Sequence, residues 1–505
     1  MSRILRLFNT IKYLKIIQIY YRLYFLVRRK IRNLVGFKYA LFKKSDARLL
    51  KFSQYFSFYI KHEKNIFSFI GLTKDFGNQI DWNFSEYGKL WTYNLNYFDF
   101  LHKKEDIKII YDFIDNIDFI KDGLEPYPIS LRGINWIKFL SKFSIVDSKI
   151  NDSLYAQYYI LADNLELHLL GNHYLENGFS LLFGAYFYDD DKLYKMSKKI
   201  LKYELNEQIL DDGAHFELSP MYHQIMLYRV LDCINLIKNN KFKNDELLSF
   251  LEKKASLMIG WLKNITYKNG DIPLINDSTK HIAPTSAQLF FYADKLNIKA
   301  ENLPLTSSGY KKIIKKNYEC LVDIADIKAS YIAGHSHSDT FNFEIYIDEK
   351  PFIIDTGIST YENNSTRHKE RSNISHNVVE INLKNSSHVW GSFRVGSRAK
   401  VDVLCLNDNI IKAVHNGYKD ILHTRKWQFL DDRVIVSDRL NKICRAVSRL
   451  HFHPSVDIDC IKEKIICNKE IKISQYDYCL SFNKTAKAFV AEVNFDCEVE
   501  ITIKI

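Results

Sequence analysis

The stretch FNFEIYIDEKPFIID, residues 341–355, gives the strongest indication of fold in the sequence. Phe341, Phe343 and Ile345 are large apolar residues spaced two positions apart, with the polar Asn342 between the first two. This spacing predicts a β-strand with one apolar face, because successive side chains of a strand point to opposite sides. A short polar turn and a second apolar run follow, which is the pattern of an antiparallel hairpin.

The sequence after this hairpin keeps the same character, whereas the sequence before it does not. Downstream runs rich in Val, Ile and Phe predict a C-terminal antiparallel β domain of sandwich type. Upstream, apolar residues such as Leu154, Tyr158 and Leu161 recur about every 3.6 positions and indicate helices joined as stacked hairpins. The predicted helices lie near residues 131–144, 154–170, 173–188, 193–208, 220–238, 245–265 and 286–296, and later strands near 432–437, 446–452 and 497–505.

The change of period near residues 305–320 sets the predicted domain boundary. We expect a helical domain over residues 51–305 and a β domain over residues 306–505, preceded by a basic N-terminal segment over residues 1–50. A chain of 505 residues exceeds the size at which one hydrophobic core keeps growing, so more than one domain is expected.

Positive charge is concentrated at the N-terminus. The chain has 71 Lys and Arg against 60 Asp and Glu, for a net charge of +11. Residues 1–44 contain twelve of the basic residues, and the first acidic residue is Asp46, so the rest of the chain has a net charge of −1. A nearly neutral body argues against a nucleic-acid binder, which usually has a broad basic surface.

The basic segment allows two interpretations. Residues 11–32 mix apolar side chains with Lys and Arg, as in a helix lying on an anionic membrane surface. The simpler interpretation is a basic helix packed on the body by its apolar side, with peripheral membrane contact through residues 1–44 as the alternative. We expect no transmembrane segment, because no run of eighteen apolar residues occurs. Lys15 and Arg22 also interrupt the best candidate for the apolar core of a signal peptide.

Two polar stretches in the helical region could line a site. In GNHYLENG, residues 171–178, His173 and Glu176 share a helix face, although Asn172 could simply cap the helix. In DGAHFELSPMYH, residues 212–223, a Ser-Pro pair predicts a helix start. The following tyrosine would then lie in the first turn, where the helix dipole favours a phenolate. The alternative is an ordinary amphipathic tyrosine.

A third stretch, in the β region, carries a His-x-His pattern. His335 and His337 on an extended segment would point their imidazoles to the same side. With Asp355 and His376 they offer the nitrogen and oxygen ligands that suit zinc. The alternative is a hydrogen-bonded histidine pair at a strand edge. A fourth stretch, residues 366–377, is dense in groups that can bind carboxylates or sulfates, or is a solvated charged loop.

Seven motifs occur in an order that resembles a known family. They are GNHYLENG (171–178), DGAHFELSPMYH (212–223), GDIPLINDS (270–278), GHSHSDTFNFEI (334–345), DTGISTYE (355–362), ERSNISHNVVEI (370–381) and VWGSFRVG (389–396). Over roughly residues 80–455 the chain resembles the heparinase II/III-like family of polysaccharide lyases. The resemblance implies an α+β multidomain fold, in which an N-terminal (α/α) toroid of helical hairpins precedes a C-terminal antiparallel β-sandwich.

The resemblance also implies a reaction, the β-elimination of a uronic-acid polysaccharide. A base removes the proton on C5, an acid protonates O4 of the departing sugar, and hydrogen bonds to the uronate carboxylate stabilise the developing charge. Asn172 and His173, supported by Glu176, resemble the residues that neutralise the carboxylate. Tyr222 resembles the base, the acid or both, and His335 resembles its partner in proton transfer.

Further residues of the same motifs are candidates for substrate and metal binding. The additional substrate-binding candidates are His215, Glu217 and Arg371. The residues that resemble ligands of a structural zinc ion beside the cleft are His337, Asp355 and His376.

The expected partner is an acidic polysaccharide. The near-neutral body gives no sign of a basic groove for sulfate, so we expect an unsulfated or lightly charged uronate glycan, in bacterial surface-polysaccharide metabolism. The expected location is the cell envelope, periplasmic or membrane-associated, with the cytoplasm as the alternative because no signal peptide is evident. Two other functions stay open: a metal-dependent glycan hydrolase using His335, His337 and Asp355, and a non-catalytic glycan-binding protein of envelope polysaccharide assembly.

Overall fold

Helices make up most of the first 300 residues, as the sequence predicts. The computed structural model describes residues 3–55, 62–243 and 245–505, with side chains from residue 6 onward. Residues 1–2 of the predicted basic segment, and residues 56–61 and 244 of the predicted helical domain, lie outside the described ranges. The helices are α1 (Arg3–Ile11), α2 (Ile16–Leu34), α3 (Lys89–Tyr97), α4 (Ile107–Asp115), α5 (Pro126–Lys142), α6 (Ser148–Asp163), α7 (Gly171–Tyr188), α8 (Asp191–Gln208), α9 (Pro220–Asn239), α10 (Leu247–Ile265), α11 (Ser286–Lys295), α12 (Ser365–Glu370) and α13 (Ile458–Lys464).

The toroid is built from antiparallel neighbours among α3 to α11. Helix α7 lies at its centre, packed against α5, α8 and α9, and is buried along nearly its whole length. Side-chain caps define several starts: the Asp147 carboxylate accepts from the Ile150 amide at α6, and Ser219 caps α9. The helix predicted near 154–170 is displaced toward the N-terminus, because it begins at Ser148 and ends at Asp163, after which the chain forms a loop.

The β domain follows as three larger sheets of antiparallel strands and one two-stranded sheet. The strands are β4 (Tyr310–Ile314), β5 (Tyr318–Asp323), β6 (Phe343–Ile347), β7 (Lys350–Ile353), β8 (Val379–Ile381), β9 (Val389–Trp390), β10 (Arg394–Val395), β11 (Val401–Leu406), β12 (Ile410–Tyr418), β13 (Ile421–Phe429), β14 (Arg433–Leu440), β15 (Ala446–His451), β16 (Ile465–Cys467), β17 (Ile471–Ser481), β18 (Lys484–Phe495) and β19 (Glu498–Lys504). Their sheet orders are β4-β5-β6-β7, β17-β18-β15-β8, β11-β12-β13-β14-β19-β16 and the two-stranded β10-β9.

The hairpin predicted from residues 341–355 is confirmed as β6 and β7. Its turn residues Asp348 and Glu349 both have positive φ, 46° and 63°, as a tight two-residue hairpin turn requires. The alternation in the sequence suggests one buried face, but both faces of this sheet are buried. Phe343 lies in the sandwich core, while Tyr346 on the opposite face packs into the toroid core. This sheet therefore joins the two domains.

A small three-stranded sheet precedes the toroid and was not predicted. It contains β1 (His62–Glu63), β2 (Ile66–Phe69) and β3 (Leu72–Asp75). Strands of two to four residues are too short to show a period against the helical pattern around them. Phe67 and Phe69 are nevertheless fully buried and fix the sheet to the toroid core.

Helices α1 and α2 form a helical strap, residues 3–34, that lies across both domains. On the toroid, the Gln18 side-chain amide donates to the Leu169 carbonyl over 2.8 Å, and Arg32 pairs with Asp163 over 2.7 Å. On the sandwich, the Trp390 indole donates to the Thr10 hydroxyl over 3.1 Å. The basic segment therefore packs on the body.

The packing face of the strap differs from the expected one. The side chains of α2 that face the body are Gln18, Tyr21, Phe25, Arg28 and Arg32, a mixed polar and aromatic stripe. Most aliphatic side chains of α2 are exposed instead, so the helix is not packed by its apolar side. The exposed stripe contains Ile16, Tyr20, Leu23, Val27, Ile31 and Leu34. Within the described residues, no helix combines the length and the apolar character needed to cross a bilayer.

Candidate active site

A cleft of about 1230 Å³ lies between toroid and sandwich. Asn172 and His173 enter it from the start of α7, Tyr222 from the start of α9, and His335 from the loop before β6. All four predicted catalytic side chains thus line one cavity, as does Glu176. A cleft at a domain junction is a common place for a ligand.

The start of α7 presents a polar pair to the cleft. Asn172 is almost fully buried, and its Oδ1 has no hydrogen-bond partner within the described residues. His173 is partly exposed, and its Nδ1 lies 3.0 Å from the Glu166 carboxylate. Burial works against a charged imidazole, but the neighbouring Glu166 outweighs it, so the pKa of His173 is raised. The pair can offer an amide and a cation to a carboxylate.

Glu176 is one turn further into α7 and is already paired. Its carboxylate lies 2.7 Å from Nε of Arg229, and both side chains are buried. Burial raises the pKa of Glu176, and the charge of Arg229 opposes that rise. Both residues line the cleft, and Glu176 holds Arg229 in place there. The role of Glu176 is therefore to support the site.

Tyr222 lies in the first turn of α9, as the sequence predicts. The Ser219 hydroxyl accepts from the Tyr222 amide over 3.3 Å, and Pro220 is the first helical residue. The phenol ring packs on the His335 imidazole with ring centroids 4.0 Å apart, and the Tyr361 hydroxyl donates to Tyr222 Oη over 3.2 Å. Burial raises the pKa of Tyr222. The phenol is therefore protonated at rest.

His335 is held in one tautomer by a residue that the sequence analysis missed. Its Nδ1 lies 2.7 Å from Oδ2 of Asp277. Because a carboxylate only accepts, Nδ1 carries the proton, and Nε2 of the neutral ring has a free lone pair. The imidazole can then accept a proton at Nε2 next to the Tyr222 ring.

Asp277 lies at the centre of a buried network. Besides His335, it accepts from Nε2 of His337 over 2.7 Å and from both terminal nitrogens of Arg367 over 2.5 and 2.7 Å. Burial would raise the pKa of this carboxyl, but Arg367 and the two histidines hold it well below its usual range. Asp277 belongs to the GDIPLINDS motif at 270–278, so its sequence did contain a signal, but its partners are remote in the chain.

The local structure around the His-x-His pair differs from the prediction. His335 ends a 3-10 turn, Ala333–His335, rather than lying on an extended segment. Ser336 is extended, and the two imidazoles reach opposite oxygens of Asp277. They do converge, but through a shared carboxylate and not through strand alternation.

Three predicted substrate-binding residues do not line the cleft. His215 is fully buried, with Nε2 bonded to the Gln208 side chain over 3.0 Å. Glu217 is buried 4.0 Å from Nε2 of His335, and burial raises its carboxyl pKa. Arg371 donates to backbone carbonyls of Gly391, Ser392 and Ser336, so it fastens a loop. All three side chains are buried outside the cleft lining, and both carboxylate oxygens of Glu217 have no hydrogen-bond partner within the described residues.

The predicted zinc ligands lie together in the fully buried region behind His335. Nε2 of His337 donates to Asp277, and Nδ1 of His376 lies 2.7 Å from Asp355. The other ring nitrogens, Nδ1 of His337 and Nε2 of His376, have no partner within the described residues. The two ring centroids are 5.2 Å apart. Two orphaned imidazole nitrogens beside a carboxylate fit a zinc ion in chemistry.

A tighter cluster of metal-binding residue types occurs elsewhere. The donor atoms of His62, His102 and Asp106 all lie within 4.8 Å of one another. Asp106, however, also accepts from the backbone amides of residues 102 and 103 over 2.9 and 3.0 Å. That carboxylate closes a helix start, so the cluster has a structural explanation.

The fold and the cleft define a class of protein, an (α/α) toroid followed by an antiparallel β-sandwich with a tyrosine–histidine pair at the junction. Residues 151–297 match the family described as heparinase II/III N-terminus, and residues 299–496 match heparinase II/III-like, C-terminal. The chain belongs to the heparinase II/III-like family.

Individual relatives are similar at low identity. A heparin-sulfate lyase of Bacteroides stercoris is 23% identical over 297 residues, which is 53% of this chain and 43% of that protein. The chain thus matches less than half the length of the curated relatives. A crystal structure of heparinase III has a TM-score of 0.64 at 14% identity, covering 86% of this chain and 80% of that one. A mutant heparan sulfate lyase from Pedobacter heparinus has a TM-score of 0.57 at 17% identity, covering 90% and 86%. These structures agree with this chain in fold.

Proposed function

We propose that the protein is a polysaccharide lyase that cleaves a uronic-acid-containing glycan by β-elimination. The observation that carries this proposal is the stacked pair of Tyr222 and His335, with the imidazole tautomer set by Asp277, facing the same cleft as Asn172 and His173. Elimination needs an acid, a base and a group that neutralises a carboxylate. The cleft contains all three.

The hydrogen bonds of Tyr222 and His335 suggest which side chain acts as the acid and which as the base. Tyr222 is protonated at rest, and its oxygen already accepts from Tyr361, so its own proton is free to point into the cleft. His335 keeps its Nδ1 bonded to Asp277, so Nε2 is the ring nitrogen left to accept a proton. We therefore assign His335 Nε2 as acceptor of the C5 proton and Tyr222 as donor to the leaving O4. Asn172 and the cationic His173 bind the uronate carboxylate as charge develops on it.

The substrate class follows from this chemistry and from the relatives. The elimination requires a carboxylate next to the acidic C–H, so the substrate is an acidic polysaccharide. The relatives are heparin-sulfate lyases, which supports a glycosaminoglycan-like or other bacterial uronate polymer. Metabolism of a bacterial surface polysaccharide is the proposed setting, in the cell envelope.

A structural zinc ion is part of the proposal. The residues that would hold it are His337 through Nδ1, His376 through Nε2, and Asp355, whose carboxylate would have to leave Nδ1 of His376 to bind the ion. Such an ion would cross-link the loop before β6 to the loop before β8. His335 would not be a ligand of this ion, because its ring is bonded to Asp277.

The contacts favour elimination over metal-dependent hydrolysis. A hydrolytic site would need His335, His337 and Asp355 around one metal. In the structure, the carboxylate of Asp355 contacts His376 and Asn342, while His335 and His337 both contact Asp277. His335, which the hydrolytic site would need as a ligand, is thus bonded to Asp277 and not to Asp355.

We also propose peripheral contact of the strap with an anionic membrane. The exposed aliphatic stripe of α2 lies beside the basic residues Arg29 and Lys30, and such a helix binds an acidic lipid surface. Vesicles containing anionic lipid should sediment the protein, and Leu23→Ser with Val27→Ser should abolish this. Equal sedimentation with neutral vesicles would contradict the proposal.

The function is tested by supplying a panel of uronate polymers and following the ultraviolet absorbance of an unsaturated uronate. One polymer should give the signal, and Tyr222→Phe and His335→Ala should each remove nearly all of it. Tyr159→Phe is the matched control, because its hydroxyl lies on α6 and does not line the cleft. Full activity in both site variants would refute the assignment, while binding without turnover of any polymer would indicate a non-catalytic glycan-binding protein.

A further inference from the structure

The strap forms part of the wall of the cleft. Its residues Leu7, Thr10, Leu14, Gln18 and Arg22 line the same cavity as Tyr222 and His335. The basic N-terminal segment, which the sequence separates from the recognised motifs by more than 100 residues, is therefore next to the reacting groups in space.

Most cations on the packing side of the strap are neutralised. Lys15 pairs with Glu207, and Arg28 and Arg32 pair with Asp163. These ion pairs hold the strap on the toroid. Their carboxylates are therefore occupied and do not neutralise any other cation of the cleft.

Arg22 differs from these residues. Its Nε donates to the His168 carbonyl over 3.3 Å, and within the described residues no carboxylate forms an ion pair with it. Burial, and next the positive charge of Arg394, lower the pKa of Arg22. Two guanidinium groups thus share one region without a counter-ion, an arrangement that a bound anion would stabilise.

The sandwich contributes its cations from the loop that Arg371 fastens. Arg394 stacks on the Trp390 ring at 4.6 Å, and Arg398 lies over the Tyr13 ring of the strap at 3.7 Å. Both line the cleft, and neither has a carboxylate partner within the described ranges. Burial lowers the pKa of Arg398 to about 10, so it is still a cation at neutral pH.

We propose that Arg22 of the strap, with Arg394 and Arg398 of the sandwich, forms an anion subsite of the cleft that binds a carboxylate or sulfate of a sugar residue next to the cleaved bond. Guanidinium groups suit both anions, because their planar donors match two acceptor oxygens at once. The inference rests on the proposed function for the identity of the ligand as a glycan. It also revises the expectation from the near-neutral body, because one arginine of the strap joins two arginines of the sandwich at the cleft.

The test measures binding separately from turnover, in the full-length protein carrying Tyr222→Phe. The probes are a glucuronate–glucosamine tetrasaccharide, its sulfated form, and a carboxyl-reduced unsulfated form, titrated by calorimetry. Arg22→Gln and Arg394→Gln should each weaken binding of a charged probe about tenfold. Arg29→Gln is the matched control, because it removes the same charge from an exposed position of α2 that does not line the cleft.

The outcomes distinguish the two anions and the two proposals. Weaker binding of both charged probes identifies a carboxylate at the subsite, and weaker binding of the sulfated probe alone identifies a sulfate. Equal affinities of Arg22→Gln and Arg29→Gln for every probe would overturn the subsite, as would an equal loss with the carboxyl-reduced probe. Since no turnover is measured, failure of the lyase assignment would show only in the absorbance assay.

Discussion

The chemistry of the cleft depends on which side chains carry protons. Tyr222 is protonated because burial disfavours the phenolate. His335 has its free lone pair on Nε2 because Asp277 takes the hydrogen bond from Nδ1. Asp277 can hold that position as an anion because Arg367 binds both of its oxygens. The acid and the base are thus set by contacts to residues that do not themselves reach the substrate.

Asp277→Asn tests this positioning role. An amide cannot accept from His335, His337 and Arg367 together, so the His335 tautomer is no longer fixed and kcat should fall by about two orders of magnitude or more with a small change in KM. Steady-state kinetics by unsaturated-product absorbance would show it, with a melting curve to confirm folding. Asp271→Asn is the control, since Asp271 lies in the same motif as Asp277 but pairs with Lys280. A kcat equal to that of the control would contradict the role.

The charge of His173 predicts a pH dependence of substrate binding. Its pKa is raised above the usual 6.5, because Glu166 outweighs the effect of burial. The ion pair therefore stabilises the fold fully below about pH 6.5, and this contribution is lost as pH rises through the raised value. KM for an acidic glycan should rise over the same interval.

The control for this pH effect is Glu166→Gln, which removes the charge that raises the pKa of His173. The rise in KM should then move to lower pH, and in His173→Gln it should disappear. An unchanged profile in both variants would assign the carboxylate contact to another residue.

At the level of elements, the features predicted correctly were those that depend on residues close together in the sequence. The start of α9 followed from Ser219 and Pro220, and the hairpin of β6 and β7 from strict alternation. The end of the helix near 154–170 was predicted too late, because its apolar period continues into a loop held by tertiary contacts. One of these is the Asn177 side chain, which accepts from the Glu166 amide over 2.9 Å. Such contacts have no local sequence signal.

The loop between α8 and α9 carries the DGAHFELSP motif and depends on Gly213. Its φ is +91°, and a Cβ there would lie 2.2 Å from the Leu257 carbonyl oxygen in α10. Gly213→Ala should therefore destabilise the protein by about 2–4 kcal/mol, from backbone strain and overpacking together. Gly270→Ala is the control, because Gly270 has φ +90° with nothing within 4 Å of its Cβ.

Denaturant unfolding of the two glycine variants would separate the cost of the steric clash with α10 from the cost of the left-handed backbone. Gly270→Ala should lose only about 1–2 kcal/mol, the cost of left-handed backbone alone. Equal losses in the two variants would mean that the contact with α10 is not a constraint.

At the scale of the whole molecule, one sheet and one strap determine the cleft. The sheet of β4 to β7 has one face in each core and fixes the domains against each other, and the strap then spans the opening. The catalytic candidates could be found from the sequence because each belongs to a motif. Asp277 and Arg394 also belong to motifs, but they were missed, as was Arg22, because their roles depend on neighbours distant in the chain.

Deletion of residues 1–34 tests the separation of strap and body. No strap side chain that the structure describes, from residue 6 onward, belongs to a hydrophobic core, so the truncated protein should melt cooperatively. Its KM for an acidic polysaccharide should rise about tenfold or more, because the cleft loses Arg22 and one wall. Circular dichroism melting and kinetics would measure both. An unfolded truncated protein would show that the strap is an integral part of the fold.

The central claim, that the Tyr222–His335 pair eliminates and does not hydrolyse, is tested most directly by product mass in heavy-oxygen water. The account predicts that cleaved uronate oligosaccharides carry no solvent oxygen and that the new non-reducing end is lighter than a hydrolytic end by one water. It also predicts that Tyr222→Phe yields almost none of this product. Incorporation of heavy oxygen at the cleaved bond, with activity retained in Tyr222→Phe, would contradict it.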